Sequence, residues 1–207
     1  KGSAALAEVM AFRRWTRLDY LTDLTGAVRA FRGPDFPFTW NHAGCPDFAQ
    51  VEPDRLSTLS AGEFHAPHYD EGFFKADWMR GFGKPYELMM PECLYGWGEW
   101  TVAPLPSMKT MGAIALASGA ALNLGHVVVP SGPCGGRVAA PVEEGYARMA
   151  PWLKPRRAWC ESSEAIPVAA ILNPVANLRL DSCREGRWLE TPPAGVRGAH
   201  AMLLDTH

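Results

Sequence analysis

The sequence predicts an α/β fold in which four consecutive β-α units form half of a (β/α)8 TIM-like barrel. Three observations lead to this prediction. Short apolar segments of strand character alternate with longer segments of helical periodicity along most of the chain, as in parallel sheets. Glycine or proline follows several of the predicted helices. The 207 residues also fall short of the roughly 250 that a complete eight-unit barrel needs.

The first unit begins with a helix. Apolar residues recur every three or four positions between Ala7 and Arg32, which predicts an amphipathic helix that Gly33 and Pro34 end. The aromatic segment Phe36–Trp40 then predicts a short strand that leads into a polar loop. Because the sequence starts without Met in this helical pattern, we expect the natural N-terminus to lie upstream.

Three further units follow in the same order. The predicted strands are Leu56–Gly62, Pro85–Met90 and Ala120–Gly125; the predicted helices are Asp70–Phe82, a segment from Met108 to Leu116, and Val142–Leu153. Gly83 and Gly119 stand where C-terminal helix stops are expected. Each strand is expected to run parallel to its neighbours, with its carboxyl end opening into a loop.

The character of the sequence changes after Pro155. Ile166–Leu172 predicts a buried strand, a polar segment follows, and Gly198–Leu204 predicts the start of a helix. We therefore expect two domains, the barrel part over 1–155 and the beginning of a second α/β domain over 156–207.

Composition and charge exclude several classes of protein. A net charge of −2 offers no basic field for nucleic acid, and no apolar run approaches the length of a membrane span. The five cysteines are scattered without a CxxC pair, which favours reduced thiols and a cytoplasmic setting. Neither a GxGxxG motif nor a P-loop is present, and we expect no cofactor.

Polar residues follow the predicted strands at their carboxyl ends, where parallel β/α folds bind ligands. They are Asn41 after the first strand, Glu63, His65 and His68 after the second, Glu92 after the third, and Asn123 and His126 at the fourth. Hydrolysis of a glycosidic bond needs two carboxyl groups roughly 5 to 9.5 Å apart. Glu63 and Glu92 on neighbouring strand ends can meet that spacing. The alternative is that they only bind sugar hydroxyls or form a salt bridge with a neighbouring Arg or Lys.

The loop from Tyr95 to Trp100 alternates aromatic residues with glycines. Trp97 and Trp100 offer flat faces for a sugar ring, and Glu99 between them is placed to touch the ligand. An equally plausible interpretation is a loop that folds back to plug the mouth of the barrel. Glu87 lies within a strand, where we expect an ion pair with Lys84 or Arg80.

The sequence resembles a bacterial family of glycosyl hydrolases akin to α-L-fucosidases and to β-galactosidases with a trimerisation domain. The resemblance spans about Phe12 to Trp152, and it is carried by the segments Glu63–Pro67, Gly83–Met89, Tyr95–Thr101 and Gly119–Pro130. Two departures are Glu99, where the family often has Asp, and His126-Val127 after Gly125. Glu92 occupies a position that varies in the family.

The resemblance implies that this chain is the C-terminal half of the barrel and that one catalytic carboxylate lies upstream. It also implies that residues from Ile166 onward begin a flavodoxin-like trimerisation domain, so that we expect the full protein to be a homo-oligomer, with a trimer as the candidate state. The resulting prediction is a glycoside hydrolase for fucoside- or galactoside-like substrates. Its candidate catalytic residues are Glu63, Glu92 and Glu99, and its candidate sugar-binding residues are Asn41, His65, His68, Trp97, Trp100, Asn123 and His126.

Two alternatives stay open from the sequence. In the first, the barrel binds carbohydrate and has no catalytic activity. In the second, it is a metal-dependent hydrolase that uses His65, His68 and His126. Pro67 between the first two histidines and the lack of a third ligand nearby make the metal site the weaker of these, and we expect no metal.

Overall fold

A computed structural model describes residues 4–40, 55–97, 99, 101–127, 134–161, 163–172, 174 and 194–206. The chain divides into two compact units, one formed by Lys1–Ser60 with Pro167–His207 and the other by Ala61–Ile166. None of the helices in the described ranges is long and apolar enough to cross a membrane.

The first unit contains two helices, α1 (Ala4–Arg32) at its start and α5 (Ala194–Thr206) at its end. Both were predicted, with shorter bounds. In α1 only Leu21 and Thr25 are buried, whereas large apolar side chains such as Phe12 and Phe31 are 62% and 85% exposed. The helix therefore forms without a buried stripe among the described residues.

The predicted strand Phe36–Trp40 is wrong. These five residues are in no strand, and Phe38 instead exchanges hydrogen bonds with Thr58 through the backbone and the Thr58 hydroxyl. Pro37 has no N–H to give to a ladder, which explains why an aromatic segment of strand composition does not join a sheet.

The predicted strand Ile166–Leu172 is also wrong. The segment has no strand pairing, and Ile166, Val168 and Leu172 are 86%, 70% and 83% exposed. Pro167 removes another ladder donor, and apolar composition alone does not supply a neighbouring strand.

The second unit is a run of alternating strands and helices. The strands are β1 (Ser60–Glu63), β2 (Tyr86–Pro91) and β3 (Ala121–Gly125), and the helices are α2 (Tyr69–Arg80), α3 (Leu105–Ala117) and α4 (Ala140–Cys160). The sheet order is β1-β2-β3, and β2 runs parallel to β3 with Met89 opposite Asn123. Beyond β1, Phe64 N donates to Met89 O, and Ala66 forms a parallel bridge with Leu94.

These elements confirm three of the four predicted β-α units, with boundary shifts. β1 begins at Ser60 rather than Leu56, because Leu56 lies in a short helical turn. α4 runs beyond the predicted Val142–Leu153, through Pro151 and Pro155, to Cys160. The described residues thus hold a small three-stranded sheet with a helical layer, and the half barrel stays a prediction.

The two faces of the sheet differ because side chains alternate along each strand. Leu88 and Met90 are fully buried on the face that carries the helices, in a core with Phe64, Met79, Met108, Met111 and Met149. Glu87, Met89 and Asn123 point to the opposite face. Glycines allow two close contacts of the helices. A Cβ at Gly72 of α2 would stand 2.7 Å from the Phe64 ring, and one at Gly112 of α3 would stand 2.7 Å from Leu153 of α4.

The amino edge of the sheet is tied by one carbonyl. Ser118 O, just after α3, accepts hydrogen bonds from the Tyr86 hydroxyl at the start of β2 and from Arg80 Nη2 at the end of α2. One strand and two helices are therefore joined at the edge opposite to the one where polar residues follow the strands.

Candidate active site

The carboxyl edge of the sheet gathers the predicted acidic residues. Glu63 is the last residue of β1, Glu92 follows β2 directly, and His126 follows β3. Both glutamates are buried, with 7% and 8% of their surface exposed. Because neighbouring parallel strands end at the same edge, the two carboxyl groups belong to one region of the molecule.

Glu63 is held by two neighbours at one oxygen. Trp97 Nε1 donates a hydrogen bond to Glu63 Oε1 at 3.0 Å, and His65 Nε2 lies 3.6 Å from the same oxygen. Burial by itself would raise the pKa of the Glu63 carboxyl, but His65, Trp97 and the positive charge of Lys75 outweigh it and hold the pKa below its usual range. Glu63 is therefore a carboxylate at neutral pH.

Lys75 contacts the backbone of Glu63 and was not among the predicted site residues. Lys75 is 3% exposed, and its ammonium group donates to the Glu63 backbone carbonyl and lies 2.8 Å from Glu71 Oε1. The sequence contained one signal for it: Glu71 and Lys75 are four residues apart on a predicted helix, between the core positions Phe74 and Ala76.

Trp97 lies against the ends of β1 and β3. Its Nε1 donates to Glu63 at the end of β1, and its ring lies against Gly125 at the end of β3, where a Cβ would stand 2.8 Å from Trp97 Cη2 and 2.8 Å from Met89 Sδ of β2. His65 stacks edge-on against the indole, with ring centroids 5.7 Å apart. The aromatic loop thus folds back onto the sheet, and Trp97 stays partly exposed.

Glu92 is fixed at one oxygen and open at the other. The backbone N–H of Val127 donates to Glu92 Oε1 at 3.1 Å, and His126 Nδ1 lies 3.1 Å from that oxygen but out of hydrogen-bond alignment. Glu92 Oε2 is buried and has no hydrogen-bond partner in the described part of the chain. Its carboxyl group therefore retains an acceptor for a ligand.

Two further residues near Glu92 were not predicted. The Tyr146 hydroxyl donates to Gly125 O at 2.8 Å, and Glu92 N donates to the same carbonyl. Burial, followed by the charge of Glu92, raises the pKa of Tyr146, so its hydroxyl stays a donor. Burial and the same carboxylate also raise the pKa of the Cys93 thiol.

The other predicted site residues are less engaged. Glu99 is exposed, and His68 is exposed beside Tyr95. Asn123 Nδ2 donates to Glu87 Oε1 at 2.9 Å, so Asn123 is the observed partner of Glu87, while Arg80 binds Asp77 and Ser118. Asn41 and Trp100 lie outside the described residues.

The three histidines of the metal hypothesis have different neighbours. His65 lies against Glu63, His126 lies against Glu92, and His68 precedes α2. Among the described residues, no group of three or more His, Cys, Asp or Glu side chains is placed to hold a metal ion.

The alternation of parallel strands and helices makes this an α/β fold, with acidic residues at the carboxyl edge of its sheet. One solved structure shares the fold: α-L-fucosidase isoenzyme 2 from Paenibacillus thiaminolyticus, at a TM-score of 0.61 and 20% sequence identity. The match covers 74% of this chain and 23% of the fucosidase chain, so this chain spans about a quarter of that enzyme. No protein family and no curated protein sequence matches it.

Proposed function

We propose that this chain is part of a glycoside hydrolase that cleaves O-glycosidic bonds of fucoside- or galactoside-like substrates. The observation that carries the proposal is the pair of buried glutamates, Glu63 and Glu92, at the carboxyl ends of adjacent strands, each with a histidine within 3.6 Å. The fold shared with an α-L-fucosidase supports the choice of substrate class.

Glu63 takes the role that needs an ionised carboxylate, as nucleophile or base. The Trp97 N–H and the Lys75 charge stabilise its anionic form, and both remain in place without a ligand. Because these groups already surround the carboxylate, they do not have to reorganise when the substrate reacts.

Glu92 acts either by donating a proton to the substrate or by accepting a hydrogen bond from it. Val127 N–H fixes Oε1, and Oε2 is the buried oxygen without a partner among the described residues. An oriented carboxyl group with one oxygen available fits a general acid, or a receptor for sugar hydroxyls. Glu99, on the exposed aromatic loop, is the third candidate carboxylate.

The sugar-binding set proposed around these carboxylates is His65, His68, Trp97 and His126, together with Asn41, Trp100 and Asn123. We also propose the second, flavodoxin-like domain and the oligomer of the whole protein on the sequence resemblance alone.

The test is turnover of aryl fucosides and aryl galactosides by the full-length protein that contains this chain and by its Glu63→Gln and Glu92→Gln variants. Each variant is expected to lose about 100-fold or more in kcat, the usual contribution of a catalytic acid or base. Glu144→Gln, an exposed carboxylate on α4, is the matched control and should retain full turnover. Full turnover by both site variants would refute the assignment, and sugar binding without turnover by the unaltered protein would favour a binding module.

A further inference from the structure

Trp97 joins the ends of two strands that are not neighbours in the sheet, since its Nε1 donates to Glu63 of β1 and its ring lies against Gly125 of β3. We propose that Trp97 is a positioning residue for Glu63, and that Gly125 is its seat: the missing side chain at 125 lets the indole lie where its N–H reaches Glu63 Oε1. The claim that this affects turnover rests on the proposed function, whereas the coupling between the residues does not.

The geometry of the indole links the two ends of this contact. Nε1 and Cη2 belong to one rigid ring system, so a shift of Cη2 changes the position of Nε1 or the direction of its N–H. A Cβ at position 125 would stand 2.8 Å from Cη2, closer than real Cβ contacts come, and 2.8 Å from Met89 Sδ. The ring would have to tilt or slide, and its N–H would then leave Glu63 Oε1.

The Trp97 hydrogen bond to the Glu63 carboxylate is shorter than the contact that His65 makes with it. Lys75 donates to the Glu63 backbone carbonyl, not to its carboxylate, and His65 Nε2, which also lowers the pKa of the carboxyl group, is 3.6 Å from Oε1. Trp97 Nε1 is 3.0 Å from the same oxygen. Trp97 therefore helps to orient the group as well as favouring its anionic form.

Several other charged or titratable groups act on the same carboxylate, so the experiment must isolate the part due to Trp97. They are His65 from the loop after β1, Lys75 from α2, and Cys93, whose thiol senses the charge of Glu63. Substitution of Trp97 or of Gly125 keeps all three of these side chains in the protein, and Phe at position 97 keeps an aromatic ring beside His65.

The experiment is an NMR titration of the whole chain, labelled with 15N and with 13C at the Glu carboxyl carbons. The Trp97 indole signal is assigned by its loss in Trp97→Phe, and the Glu63 carboxyl signal by its loss in Glu63→Gln. In the unaltered protein, the indole signal should shift with the same midpoint as the Glu63 carboxyl. In Trp97→Phe, the Glu63 midpoint should rise.

Gly125→Ala should reproduce the Trp97→Phe result, with a raised Glu63 midpoint and an indole signal that no longer follows it. The matched control is Gly96→Ala in the same loop, because a Cβ at Gly96 meets nothing within 4 Å and its φ is not positive. This control should leave both signals unchanged. Circular dichroism verifies that each variant is folded, and Trp97→Phe alone decides the point if Gly125→Ala does not fold.

An indole signal in the unaltered protein that ignores the Glu63 titration overturns the proposal, as does a Glu63 midpoint unchanged in Trp97→Phe. A coupling between the two signals, with full turnover in Glu63→Gln, leaves the positioning intact and removes the proposed function. If both hold, Trp97→Phe should lower kcat roughly 10- to 100-fold, the loss expected from one hydrogen bond to a charged group, with a smaller change in KM.

Discussion

The backbone N–H of Val127 holds the carboxylate of Glu92 at 3.1 Å, so that a residue after β3 orients an acid after β2. This bond crosses between neighbouring strand ends and uses no side chain of residue 127. A substitution that removes the N–H therefore tests the orientation of Glu92 without altering the carboxyl group itself.

We expect Val127→Pro to lower turnover, because proline has no N–H to donate to Glu92 Oε1. The expected loss is about tenfold, as for one hydrogen bond to a charged group. Val127→Ala keeps the N–H and should retain turnover. Steady-state kinetics of the two variants on an aryl glycoside would decide, and equal rates would show that the bond does not contribute.

We expect Lys75→Met to destabilise the protein by about 1 to 3 kcal/mol, because it leaves the buried Glu63 carbonyl without its donor. Urea unfolding at neutral pH measures the change. Lys154→Met, at an exposed position of α4, is the control and should change the free energy of unfolding by less than about 0.5 kcal/mol. Similar values for the two variants would mean that Lys75 is not a structural support of β1.

Asn123→Asp should destabilise the fold at neutral pH, since it replaces the donor to Glu87 by a second carboxylate at a contact of 2.9 Å. Repulsion raises the pKa of the new pair in the folded state, so the lost stability returns as the pH falls and the pair takes up a proton. Asn123→Ala should show a smaller loss without this acid recovery. Urea unfolding between pH 4 and pH 7, roughly the range where such pairs titrate, separates the two patterns.

Gly72→Ala should destabilise the second unit, because the added Cβ would stand 2.7 Å from the fully buried Phe64 ring. Overpacking of about 1 to 3 kcal/mol exceeds the gain of roughly 1 kcal/mol from helix propensity. Gly26→Ala in α1, where a Cβ meets nothing within 4 Å, should instead leave stability unchanged or raise it. A stabilised Gly72→Ala protein would show that α2 can retreat from Phe64.

Cys93 should react with iodoacetamide about tenfold or more slowly than Cys134 and Cys160 at mildly alkaline pH. It is 3% exposed, and burial together with Glu92 raises its pKa, which reduces the reactive thiolate, whereas the other two thiols are partly exposed. Mass spectrometry of the labelled peptides measures the three rates. Equal rates would indicate that the segment after β2 opens readily.

The sequence predicted the second unit well, for physical reasons that can be named. Helical periodicity and the stops at Gly83 and Gly119 located α2 and α3, and strand-end logic located Glu63 and Glu92. The two strands that failed, Phe36–Trp40 and Ile166–Leu172, each contain a proline and lack a neighbour to pair with among the described residues. A segment forms a strand only when a neighbouring strand pairs with it, and the residues of the segment alone do not specify that neighbour.

The contacts of the site were less predictable than its positions. Trp97 was expected either to face a sugar or to fold back, and its indole lies against Gly125, a contact between a loop and a strand end that no local pattern contains. The donor to Glu87 came from Asn123 on the next strand rather than from Lys84 or Arg80, because the register of β2 and β3 sets which side chains meet.

The Ser118 carbonyl, which ties Tyr86 and Arg80 at the amino edge of the sheet, has a consequence for engineering this molecule. Its bonds lie at the far end of the strands from Glu63, Glu92 and Gly125. The contacts that hold these elements together and the proposed site thus lie at opposite ends of the same strands. Directed evolution of heat resistance can therefore keep Tyr86 and Arg80 and vary the residues around them without altering the proposed site, while libraries aimed at new substrates are best confined to the loops of the carboxyl edge.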